Sequence, residues 1–315
     1  MARDNQNTLG PANAKAGEGA LPVRLSVRKC YKMLIGGAFV RSESGRYFQV
    51  AEHAGVANSS VVMENIPWAS RKDARDAVSA ARNAWDGWAN RTAFNRGQII
   101  YRLAEMLEGK REELILSLER GDLSKEQAEL ELNAAIDRTI VYAGWTDKYQ
   151  SLFSSLNPTG GPHFTITVPE PMGVVAIVAP ERPSLLGLVS TILPVIVSGN
   201  TCVVAAGEAD PRTAIVLGEC IATSDMPGGV VNILTGPVKE VLVHLAKHME
   251  VAALDLHGVD AELARNAEAL AASNVKRVRS RSLSGADFFD AQKTESPRWI
   301  ERFVEMKTIW HPSGV

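Results

Sequence analysis

Apolar and polar positions change rhythm several times along this chain. Residues Met1 to Leu21 are rich in Asn, Gly, Ala and Pro and poor in large apolar groups, so 1–28 is expected to be a disordered N-terminal arm. From Tyr31 to Val40 the pattern reads as a short hairpin turning at Gly36-Gly37. Ser44-Gly45 marks another turn before Tyr47-Phe48-Gln49-Val50. Helical spacing then begins. Ser70 is a candidate N-cap with Asp73 three residues on, and Ala74, Ala77, Val78, Ala81, Ala84, Trp85 and Trp88 follow with that spacing. A second helix is predicted from about Thr92 to Leu107 and a third from Lys110 to about Gly121. A fourth, capped by Ser124, carries Glu126, Glu129 and Glu131 and continues towards Tyr149.

Residues 151–168 change character. Two apolar arms, Leu152 to Leu156 and His163 to Val168, flank Asn157-Pro158-Thr159-Gly160-Gly161-Pro162, which predicts a hairpin with a wide turn. Strands and helices then alternate. Gly173–Val178 is continuously apolar, as expected where both faces of a sheet are covered. Ser184–Val197 has helix length, with Pro194 as an internal kink. Thr201–Ala205 is a second strand. Asp210-Pro211 starts a helix running to about Thr223, with Asp as the cap and Pro at the first helical position. Val230–Leu234, a helix over Val238–His248, a strand over Val251–Leu256 and a helix over Ala261–Ala272 complete the series. This order predicts an α/β fold with a Rossmann-type parallel sheet and right-handed crossovers.

The C-terminal part differs. Lys276-Arg277-Val278-Arg279-Ser280-Arg281 is basic but has no interleaved aromatics, which favours a solvated surface or a protein contact over nucleic acid. Ser284–Pro297 is polar and is expected to be irregular. Trp299–Pro312 is amphipathic, and its end, Glu305 to His311, alternates like a strand that must pair with something.

Composition narrows the function classes. A net charge of −2 recruits neither nucleic acid nor a membrane surface. No apolar run reaches the roughly 20 residues that span a bilayer. No signal peptide is apparent, and three scattered cysteines fit a reducing, cytoplasmic setting. Cys202 lies in an apolar strand and Cys220 in a helix, so both read as buried inert thiols. Cys30 follows Arg28 and Lys29, which would depress its pKa, yet it precedes the first strand. His244 and His248 have the i, i+4 spacing of a metal pair, but no third ligand is near in sequence, so a solvated helix face is favoured.

Several segments, in order, resemble the NAD(P)-dependent aldehyde dehydrogenase superfamily. They are Ile35-Gly36-Gly37-x-Phe39-Val40 with Ser44-Gly45, then Pro169-Glu170-Pro171-Met172-Gly173-Val174, then Gly199-Asn200-Thr201. Pro227-Gly228-Gly229-Val230-Val231-Asn232-Ile233 and Met306-Lys307-Thr308-Ile309-Trp310 follow. The resemblance covers about Tyr31 to Val278, then Pro297 to Val315 as the family's C-terminal segment. It implies a cofactor-type domain over 29–150 and 169–283, and oligomerisation β elements over 151–168 and 298–315. It implies a linker over 284–297 where the family has its catalytic domain, so that the domain and its nucleophilic cysteine are expected to be absent.

The same alignment implies losses at the positions that carry chemistry. Pro180-Glu181-Arg182-Pro183 stands where the family has Pro-Trp-Asn-Phe, so Arg182 takes the place of the oxyanion-binding Asn. Ala205 replaces the lysine that holds the adenosine ribose or 2′-phosphate, while Glu208 is retained. His257-Gly258-Val259 replaces a Thr-Gly-Ser beside the pyrophosphate, and His257 is expected to be a solvent-facing turn residue. Leu263 replaces the next glycine, and Arg281 replaces the general-base Glu. Vestigial cofactor positions are implied at Pro180, Glu208, Gly236 and Gly258, with no catalytic residue, no metal and a weakened NAD(P) site. The expected role is a non-catalytic subunit that assembles with its own copy or with a full-length aldehyde dehydrogenase. The alternatives are a component active only in a complex, and a ligand-binding module using the cofactor crevice.

Overall fold

The computed structural model describes residues 27–51 and 63–313, so the expected arm over 1–28 falls almost wholly outside the described residues. Tyr31–Val315 forms one compact unit. It opens with β1 (Met33–Ile35), β2 (Ala38–Val40), β3 (Tyr47–Ala51) and β4 (Met63–Pro67). Helices α1 (Arg71–Ala89), α2 (Ala93–Gly109), α3 (Arg111–Arg120), α4 (Lys125–Trp145) and α5 (Tyr149–Phe153) follow. Next come β5 (Ser155–Asn157), β6 (His163–Pro171), β7 (Val174–Val178), α6 (Ser184–Val197), β8 (Thr201–Ala205) and α7 (Arg212–Ala222). The series continues with β9 (Val231–Leu234), α8 (Val238–Lys247), β10 (Val251–His257), α9 (Ala261–Ala271) and β11 (Arg277–Arg281). Short helices α10 (Ala291–Thr294) and α11 (Arg298–Glu301) precede β12 (Val304–Pro312).

The main sheet has the order β11-β10-β7-β8-β9-β1-β2. The five strands from β11 to β9 are parallel, and the β1–β2 hairpin adds an antiparallel edge on β9. Gly36 and Gly37 both take positive φ, which lets the two-residue turn match the strand twist. The strict period of two along β7 and β8 builds both cores. Val174, Ala176, Val178, Val203 and Ala205 pack on the α1, α8 and α9 side, whereas Val175, Ile177, Cys202 and Val204 pack on the α6 and α7 side. Both N-caps expected of the long helices form capping boxes, Ser70 with Asp73 and Ser124 with Gln127. The cap of α7 shifts by one residue. Pro211 takes the N-cap position, and Asp210 Oδ1 accepts from Arg212 N at 3.1 Å.

Two elements depart from the sequence expectations, and the expected tail strand finds a partner within the chain. Residues Tyr149–Phe153 form a helix closed by Ser154 N donating to Gln150 O, so the first arm of the 151–168 hairpin shrinks to β5. The tail strand β12 pairs antiparallel with β6 of the same chain from Val304↔Pro171 to Pro312↔His163, giving a second sheet ordered β12-β6-β5. The 284–297 stretch is structured: a 3-10 helix over Gly285–Phe289 and α10 bury Phe288 and Thr294 completely. The sequence hid this because the anchors are long-range: Arg138 donates to Phe288 O at 3.0 Å and Tyr142 to Thr294 O at 2.9 Å.

Asn200 ties the two sheets together. It is fully buried, accepts from Gly173 N at 2.9 Å, and donates to Ser198 Oγ at 2.8 Å and to Phe303 O at 2.6 Å. It thus joins the start of β7, the start of β8 and the residue before β12. Asn200→Ala orphans the buried Gly173 N–H and Phe303 C=O, whereas Ser198 Oγ keeps its bond to Val195 O, and should lower unfolding free energy by about 2–4 kcal/mol, as read by urea titration. Unchanged stability would show that the tail docks by other means.

Candidate functional site

In open parallel sheets, ligands bind at the carboxyl ends of the strands. Here those ends are Val178, Ala205, Leu234, His257 and Arg281. Pro180 is buried after β7, its ring against α6 where a Cβ on Gly187 would come within 2.4 Å of it. Glu181 turns back over β8, its carboxylate accepting from Glu208 N at 2.7 Å and Ala209 N at 3.1 Å. Glu208 Oε1 in turn accepts from Val238 N at 2.6 Å. That N–H belongs to the first turn of α8, whose N-cap Pro237 offers no side-chain cap, so Glu208 satisfies an orphan donor. Gly236 takes φ +124° with Ala69 N 3.1 Å from a would-be Cβ, so backbone packing alone accounts for this glycine. Gly258 has φ +63° and open space around it.

Arg182 is exposed at the rim of a cavity of about 270 Å³ lined by Leu123, Gln127, Leu130, Glu131, Arg182, Pro183, Gly285 and Phe289. Glu131 forms its floor. Its carboxylate accepts from Leu185 N at 2.6 Å and Leu186 N at 3.1 Å, capping α6. Burial pushes the Glu131 pKa up against the pull of those two bonds and of Arg182. The sequence places Glu131 on a helix without a role, because its partners lie more than fifty residues away.

The densest chemistry lies at the ends of β10 and β11. Asp255 is fully buried and bound on both oxygens: Oδ2 to His257 Nε2 and Oδ1 to Arg281 Nε, each at 3.0 Å. Burial pushes its pKa up, but the charges and hydrogen bonds of His257 and Arg281 outweigh that and hold it below the ordinary carboxylate range. The Arg281 guanidinium stacks 3.8 Å over the Trp299 ring, and His257 packs against the rings of Trp299 and Phe288. His257 is therefore not the solvent-facing turn residue expected. It is 3% exposed, because Asp255 and two aromatic rings enclose it. Arg281 likewise leaves the solvated basic run, its side chain 7% exposed; Nη1, Nη2 and His257 Nδ1 are buried without hydrogen-bond partners.

The remaining candidates sit elsewhere. Cys202 and Cys220 are buried and Cys30 is exposed. Burial pushes the Cys202 thiol far up, which disfavours a thiolate. His244 and His248 share a surface groove with arginines and lysine, and no third metal ligand is present among the described residues. No described helix is long and apolar enough to cross a membrane.

A model of the aldehyde dehydrogenase family matches residues 39–287. The chain belongs to the aldehyde dehydrogenase family. Among curated relatives it is 30% identical over 260 residues to the cytosolic 10-formyltetrahydrofolate dehydrogenase of Mus musculus, covering 81% of this chain and 28% of that protein. It is 32% identical over 254 residues to the aldehyde dehydrogenase, cytosolic 1, of Elephantulus edwardii, covering 78% and 49%. Among solved structures, the HpcC protein of Thermus thermophilus superposes with a TM-score of 0.74 at 26% identity, over 80% of this chain and 48% of that one. An NAD-dependent aldehyde dehydrogenase from Sinorhizobium meliloti gives 0.72 at 28%, over 79% and 49%. The chain thus spans at most about half the length of these relatives.

Against the family's dinucleotide, the residues present fit poorly. Ala205 is buried and supplies no cation, Glu208 Oε1 is committed to the α8 N–H, and the His257 ring is sealed beneath Phe288 and Trp299. The Asp255 cluster yields a test of its own. Asp255→Asn weakens the partnership with Arg281 and should cost about 3–5 kcal/mol near pH 7. Because the folded pKa is depressed, the wild-type advantage is present above about pH 4 and is lost as pH falls through the folded value. Denaturant titrations of both proteins across that range check this, and a pH-independent difference would refute the ionised pair.

Proposed function

We propose that this chain is a non-catalytic subunit of aldehyde dehydrogenase type, acting in assembly with its own copy or with a full-length aldehyde dehydrogenase. The observation that carries the reading is the cluster at the ends of β10 and β11. Arg281, at the position the family alignment gives to the general base, is permanently protonated and bound to buried Asp255. Phe288 and Trp299 cover the same ground with packed rings. Residues 282–303 are all the chain between β11 and β12, too few to hold a catalytic domain.

The assembly part rests on the sheet ordered β12-β6-β5. β12 is an end strand with an open edge, and Met306, Ile309 and Trp310 on it are exposed, Trp310 by 63%. Such an edge is a template for pairing with another chain. A second reading, a ligand-binding module, draws on the 270 Å³ cavity beside Arg182, whose walls are apolar around one carboxylate and one guanidinium.

Two measurements test the proposal. Native mass spectrometry should find the chain above its own 34.0 kDa, and Ile309→Lys with Trp310→Asp should return it to monomer without loss of helix content by circular dichroism. Calorimetry should register no saturable heat with NAD up to about 1 mM. NAD-dependent aldehyde turnover by the isolated chain would overturn the reading. Turnover gained only on mixing with a full-length enzyme would favour a component active in a complex.

A further inference from the structure

Helices α1 and α8 pack side by side and leave a groove of about 420 Å³ between their outer faces. Among the described residues it is lined by Arg71 and Arg75 from α1 and by Val243, His244, Lys247 and His248 around the end of α8. Arg75 pairs with Asp76 at 3.4 Å in an exposed contact that contributes little. Arg71 and Lys247 have no carboxylate within ion-pair distance among the described residues. Burial lowers the pKa of His244, and Arg71 and Lys247 lower it further, with Glu240 opposing. Arg71, Arg75 and Lys247 thus line one concave surface, and no carboxylate is among its described lining residues.

Local structure does not explain all of this charge. Lys247 and His244 sit in the last turn of α8, where the helix field favours cations. Arg71 is the first residue of α1, where the same field disfavours them. Its placement works against the helix and in favour of the groove. We infer that this groove is a binding site for a compact polyphosphate group, with Arg71, Arg75 and Lys247 neutralising the phosphates and the two imidazoles offering further hydrogen bonds. The volume lies in the range of small-molecule sites, and guanidinium forks match phosphate geometry. The lining holds no Phe, Tyr or Trp ring on which a nucleic-acid base could stack. The site is distinct from the family's cofactor crevice. Glu208 meets α8 at Val238, whereas the groove lies around Val243–His248.

Calorimetry of the full chain with sodium pyrophosphate at low ionic strength tests the inference. Saturable one-site binding is expected. Arg71→Gln with Lys247→Gln should weaken it by at least about tenfold, and Lys247→Gln alone by less. Both side chains are exposed, so the thermal midpoint should hold. Lys125→Gln, at the exposed start of α4, should leave the affinity unchanged. No saturable heat up to about 5 mM, or an affinity indifferent to the double variant, would overturn the inference. Sedimentation with phosphatidylcholine vesicles, with and without phosphatidylinositol 4,5-bisphosphate, separates the two sources of the group. Pelleting that the double variant abolishes assigns it to a lipid headgroup, and pyrophosphate binding without pelleting to a soluble metabolite. Pelleting that the double variant leaves intact would count against the groove.

Discussion

The carboxyl edge of this fold depends on one buried charge. Asp255 has no access to solvent, and an isolated carboxylate there would be untenable without partners. It takes two, His257 and Arg281, which fixes the last turn of β10 against the last residue of β11. Those partners then set what can pack above them. The guanidinium accepts the Trp299 ring, and the imidazole accepts Trp299 and Phe288. Removing one member of such a set leaves an uncompensated buried charge, which is costlier than the net worth of the pair.

The same principle runs through the rest of the crevice. Glu181, Glu208 and Glu131 each commit their carboxylate to backbone N–H groups of this chain, two of them at helix starts that lack a side-chain cap. Each of these carboxylates completes the backbone hydrogen bonding of this chain. A Rossmann-type sheet needs only its two apolar faces to persist, so the scaffold stands whatever its crevice holds. The anchoring of the tail follows the same logic through Asn200, which satisfies three buried groups from three elements at once.

Much of the fold is legible in the chain itself. The period-two strands, the capping boxes at Ser70 and Ser124 and the Gly36-Gly37 turn are local signals, and the structure realises each of them. The helix over Ser184–Val197 forms with its expected bounds. The differences share a cause. Residues 151–153 end a short helix rather than opening a hairpin arm, and that helix starts at Tyr149, which is buried and donates to Ser198 O at 3.4 Å. His257 reads as a polar turn residue because nothing adjacent in sequence announces the rings that bury it. The basic run ending at Arg281 reads as solvated because its counter-charge lies 26 residues earlier.

The sequence by itself determined the α/β scaffold and the chemical types at its functional positions. Alanine at 205 and arginine at 182 and 281 are facts of composition that no packing can reverse. Only the tertiary structure decided what those side chains do. Caps and periodicities act across three or four residues, so they can be read along the chain. The bonds from Glu208 to Val238, from Glu131 to Leu185 and from Arg281 to Asp255 span 30, 54 and 26 residues. The meeting of α1 with α8 that builds the basic groove is likewise a long-range event. Such partners are chosen by how the layers stack, and the free energy of desolvating each charge enforces the choice.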